Sequence, residues 1–179
     1  MSLSLYDAIV PSSIQILNAL DHVMEKAKSF CAAGGSHEAE MIDARLAPDM
    51  RPLGYQVKSC VVHTIIAIEN ARAGSASPDG SAWPTDFDGL RGILQRASAE
   101  LRALDRNMVD QLAGADINFV AGEHKLPFNG ANFLLSFSQP NFYFHATTAY
   151  AILRAQGVSL SKVDFLGVLR VNREPNRAE

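Results

Sequence analysis

The chain has 179 residues, 47% hydrophobic and 20% charged, with a net charge of -3. That length suits one domain with a continuous core. The acidic balance excludes a phosphate-tracking surface, so no nucleic-acid partner is expected. No apolar run reaches the roughly 18 residues of a membrane span, so no membrane partner is expected either. The opening MSLSLYDAIVPSS lacks a basic segment and is broken by Pro11, so no signal peptide is expected. Cys31 and Cys60 are the only cysteines and form no CxxC, which points to a reducing, cytoplasmic setting.

In chain order, Leu5 to Cys31 places Ile9, Ile14, Leu17, Leu20, Val23 and Met24 near one face, the pattern of a long amphipathic helix. Pro11 either marks its true start or kinks it, and Gly34-Gly35 ends it. A short helix fits Ser36 to Leu46. Asp49 then suits the N-cap of a second long helix, Met50 to Arg72, with Leu53, Val57, Val61, Thr64, Ile65 and Ile68 inward. Val62 and Ile66 lie beside that stripe, and such a broad apolar surface predicts a homodimer through this helix. A Gly, Ser, Pro and Asp-rich loop follows. Thr85-Asp86-Phe87-Asp88 resembles a capping box for a third helix running to about Leu112, with Leu90, Ile93, Leu94, Ala97, Leu101 and Leu104 inward. INFVAGEHKLPFNG predicts a short hairpin. The fourth helix, about Ala131 to Ala155, contains Pro140, where a bend is expected. Residues 1–170 form one domain on this reading, in which FLGVL packs, and 171–179 form a disordered tail. The fold class is all-α, a four-helix bundle with a β-hairpin before the last helix.

Of five histidines, His22, His37 and His124 lie in polar surroundings and read as solvated. His145 borders the Phe142, Ala146, Ala149 and Leu153 stripe, with Asn141 one turn before it and Thr148 one turn after. An amide, an imidazole and a hydroxyl on one face suit a small-molecule pocket. His63 shares a polar edge with Gln56 and Asn70 at heptad spacing. The bland reading of both histidines is a polar seam between helices. Cys60 reads as a small core residue and Tyr6 as an anchored tyrosine. No HxxxH, HExxH, GxGxxG or P-loop occurs.

The segments ARLAPDMRPL, PNFYFHATTAYAILR and DFLG resemble an uncharacterised branch of the DinB-like four-helix-bundle superfamily, a domain of unknown function in bacteria and fungi. The superfamily pattern on the last helix is HxxxH, then Gln, then an apolar run ending in LRxxG. Here LRxxG is Leu153 to Gly157, which aligns the second histidine with His145 and the first with Asn141. The resemblance implies the fold. It also implies, for many members, a divalent metal held by three histidines and, for some, transferase or isomerase activity with small thiols. Asn141 replaces one of those ligands, and His63 lies deeper than the helix-two ligand. Asn is a poor ligand for zinc or nickel, so a tight three-histidine metal site is not expected. The site residues are therefore His145, Asn141, Thr148 and His63, with the cofactor unspecified. Three functions follow: a small-molecule binder, a thiol-using metal enzyme with a degenerate ligand set, or a non-catalytic dimer.

Overall fold

The amphipathic runs become four long helical stretches in the computed structural model, which describes residues 3–172. Helix α1 (Leu5–Ala32) starts at Ser4, whose hydroxyl accepts from the Asp7 amide. It carries Pro11 inside its length, so this proline does not mark the start. Helix α2 (Glu38–Asp43) is the short connector. The second stretch comprises α3 (Leu53–Val61), a π segment (Val62–Ile66) and α4 (Ala67–Ala73). Its N-cap is Pro52 rather than Asp49, which is exposed in the turn before it. Proline suits a helix start because no donor is needed there.

Helix α5 (Phe87–Ala103) is capped by Asp86, not Thr85, through a bond from the Gly89 amide. The expected single third helix is broken. Leu104 turns extended, Asp105 caps a new helix by accepting from Met108 N–H, and α6 (Arg106–Gln111) follows. The inward stripe ran past this break because Leu101 and Leu104 both pack inward.

Strands β2 (Asp116–Ala121) and β3 (His124–Asn129) form the expected hairpin, pairing Ala121 with His124 across a turn in which Gly122 has φ +60°. A two-residue strand, β1 (Ser75–Ala76), runs parallel beside β2 and makes the loop after α4 the third strand of the sheet, at one edge. The fourth stretch is α7 (Gly130–Asn132), a π segment (Phe133–Ser138) and α8 (Gln139–Ala155). Pro140 stands in the first turn of α8, directly after the π segment, rather than inside one continuous helix.

Helix α1 packs along α5, and α3 packs along α8. Leu17, Leu20, Leu53, Val57, Leu90, Leu94, Phe142 and Ala149 close the shared core. Helix α9 (Lys162–Leu166) lies against α1, with Phe165 edge-on to Tyr150, but Val168 and Leu169 after it are exposed, so only the first part of FLGVL packs. Val62 and Ile66 are half-buried and share a cavity wall with the Ser75–Ser81 segment, so the chain itself covers part of the surface that suggested an interface. Most of the expected disordered tail, 173–179, lies outside the described residues. Among the described residues no helix is long and apolar enough to cross a membrane.

Candidate functional site

One face of α3 and its π segment, positions 55, 58, 59, 62 and 63, meets one face of the fourth stretch, positions 137, 141 and 145. Both sets follow the three-to-four spacing of helical neighbours. Phe119 of β2 and the Ser77–Asp79 segment close the remaining sides. The result is a pocket of about 180 Å³ lined by Tyr55, Lys58, His63, Asp79, Asn141 and His145 among others.

Two side chains of α3 fix the site's polarity. Gln56 is buried, and its amide nitrogen donates to the Arg51 carbonyl at 2.9 Å. That contact assigns the amide orientation, because a carbonyl accepts only from the NH₂ side. The Gln56 carbonyl oxygen therefore faces His145 Nδ1, at 2.7 Å, and Nδ1 carries the proton. No other protein hydrogen bond reaches the ring among the described residues, which leaves Nε2 with a lone pair. Lys58 is the second. It is only 6% exposed, and its ammonium donates to the carbonyls of Ser81 (2.8 Å) and Asp79 (3.3 Å), with the Asp79 carboxylate at 3.5 Å. Its charge is thus spent on holding the loop. Trp83, from the same loop, sits so close to Gly54 that a Cβ there would lie 2.3 Å from the indole, and it meets Tyr55 edge-on.

His63 and His145 lie with near-parallel rings 5.6 Å apart. Burial pushes both pKa values down to about 4, and for His63 the neighbouring His145 adds to the effect. Both rings are neutral at pH 7. The Asn141 amide donates back to the Phe137 carbonyl at 2.8 Å, which leaves its side-chain oxygen as an acceptor.

Of the residues singled out in the sequence, Asn141, His145 and His63 come together. Thr148 does not join them. It is buried, its hydroxyl bonds back to the Phe144 carbonyl at 2.7 Å, and it lines no wall of this pocket. Such bonding to the carbonyl four residues back is a common end for threonine within a helix. Cys60 is fully buried, with its thiol pKa pushed up by that burial. Tyr6 is far along the chain's other contacts, with the Arg106 guanidinium 4.5 Å above its ring. His22 lies near Asp164, His37 precedes α2 and His124 is exposed on β3. Sequence reasoning missed Lys58, Tyr55, Phe119, Phe137 and Asp79, and gave Gln56 only as part of a polar edge. A lysine at an otherwise apolar helical position was the available signal.

The superfamily's three-histidine metal set is not reproduced. Asn141, with its amide nitrogen engaged, stands at one ligand position, and two neutral imidazoles remain. Among the described residues no group of three or more His, Cys, Asp or Glu side chains is placed to hold a metal ion. Two imidazoles and an engaged amide do not make a donor set for such a metal.

The profile of a family described as "Domain of unknown function (DUF1993)" matches residues 5–166. Among curated proteins none matches. The chain is similar to the crystal structure of a DinB family member protein from Shewanella denitrificans, with a TM-score of 0.79 and 25% identity over 95% of this chain and 96% of that one.

Proposed function

The chain belongs to the DUF1993 family and has a DinB-like, mainly helical fold, and from that premise we propose that it binds a small molecule in the pocket beside Asn141 and His145. The observation that carries this reading is the half-satisfied imidazole. Gln56 holds Nδ1–H at 2.7 Å, and Nε2 is left as an acceptor in a ring that lines a cavity. A histidine whose only task was to bridge helices would have no need of the adjoining space. The ring's low pKa makes it a weak base at pH 7, so it serves recognition there rather than proton uptake.

The test is a ligand-observed NMR fragment screen on the unaltered chain and on His145→Gln. Expected are hits on the parent that weaken at least tenfold in His145→Gln, with the melting temperature retained. Equal binding by both proteins, or a destabilised variant with no hit on the parent, removes the pocket role and leaves His145 a structural bridge.

A further inference from the structure

Beside the His63 ring and the Tyr55 and Ser59 hydroxyls, which can donate as well as accept, two atoms on this wall only accept. His145 Nε2 and the Asn141 side-chain oxygen are acceptors, because the Nδ1–H of the one is given to Gln56 and the amide nitrogen of the other to Phe137. The one cation on the wall, Lys58, has its N–H groups directed at Ser81 and Asp79. Asp79 in turn faces Lys58 and accepts from the Ser81 amide. Among the described residues an anion entering here meets no free positive group, and a cation meets a carboxylate already paired. The favoured occupant is an uncharged group that donates to one of these acceptors and can accept in turn, as a hydroxyl does.

The rest of the wall is aromatic. Phe119 and Phe137 lie 4.9 Å apart, Phe137 meets His63 edge-on at 5.8 Å, and Tyr55 stands edge-on to His145 at 5.9 Å. Ring faces and edges of this kind favour another ring. The pocket's size, about 180 Å³, also suits a single ring, since a cavity of about 150 Å³ admits benzene. Resting on the pocket reading above, we infer that the ligand is a small uncharged aromatic bearing a hydroxyl donor, of the phenol class, whose O–H points at His145 Nε2 and whose ring lies among Tyr55, Phe119 and Phe137.

Three ring probes of similar size separate the ideas on the unaltered chain: phenol, benzene and benzoate, titrated at pH 7 while the imidazole resonances of His63 and His145 are followed by NMR. Expected is saturable binding of phenol, at least fivefold tighter than benzene and at least tenfold tighter than benzoate. A second measurement uses His145→Phe, which keeps a ring and removes the acceptor; there phenol and benzene should bind alike. Benzoate binding as tightly as phenol, or benzene matching phenol on the unaltered chain, overturns the ligand class while leaving a functional pocket. Silence from all three probes overturns the ligand class alone where the fragment screen finds hits that His145→Gln weakens, and the pocket as well where it finds none.

Discussion

The α1–α5 half of the bundle and the α3–α8 half are built differently. Helices α1 and α5 run as uninterrupted α-helix through their lengths, joined on the outside by Arg91, which bonds Asp21 and Glu25. The two stretches that make the pocket each carry a π segment, Val62–Ile66 and Phe133–Ser138. His63 lies within the first, Phe137 within the second, and Asn141 and His145 follow in the next two turns. An inserted π turn rotates everything after it relative to a regular helix, and such turns are frequent at functional positions. In this molecule one half is regular α-helix, and the other interrupts its helices where the pocket's polar side chains sit.

Three measurements sharpen or break that contrast. The largest effect belongs to the regular half. Leu94 is fully buried in α5, and Leu94→Ala should lower unfolding free energy by about 2–5 kcal/mol. Phenol binding by the folded fraction should stay as it was, and a lost pocket response would show that the halves are not separable.

Next comes acidification, which acts on the irregular half. His63 and His145 have folded pKa values near 4 against 6.5 unfolded. Between those values the unfolded chain binds more protons, so stability is complete above about pH 6.5 and falls as the pH drops toward 4. Denaturant midpoints from pH 7 to pH 4 should register a loss on the order of 2–3 kcal/mol, shared between two partly buried rings. His145→Gln should flatten the curve, and an unchanged pH profile in that variant would place the effect elsewhere.

The smallest is Gln56→Leu. It leaves His145 Nδ1–H and the Arg51 carbonyl without their partner. A loss of about 1–2 kcal/mol is expected for buried groups left unpaired, together with a change in the His145 ring-proton shifts. A neutral outcome with unchanged shifts would mean that Gln56 does not set the tautomer.

The same division separates what the sequence carried from what it did not. Leu90, Leu94, Ala97 and Leu101 announced α5 because a three-to-four stripe needs only local spacing. The π segments left no such mark, since Val62–Ile66 and Phe133–Ser138 read as ordinary helix by composition, and only Pro140 hinted at disturbance. Strand β1, two residues long, is too short to show a period, and its pairing with Asn118 and Phe119 is a contact across more than forty positions. The site was legible where it was local. Asn141 and His145 are one turn apart on a single helix. Thr148 followed the same spacing and went elsewhere, because its hydroxyl had a nearer partner in the Phe144 carbonyl. Lys58 was not legible as a wall of the pocket, since its task depends on a loop that folds back to it from Asp79 and Ser81.

Gln56 has one further consequence. A carboxamide is not an acid or a base at any ordinary pH, so the group behind His145 neither takes up its proton nor returns it. Nothing beyond the ring's inner nitrogen can relay charge inward. Whatever proton exchange the imidazole undertakes must pass through Nε2. The ring has one working nitrogen, and that ring stands on the wall of the pocket.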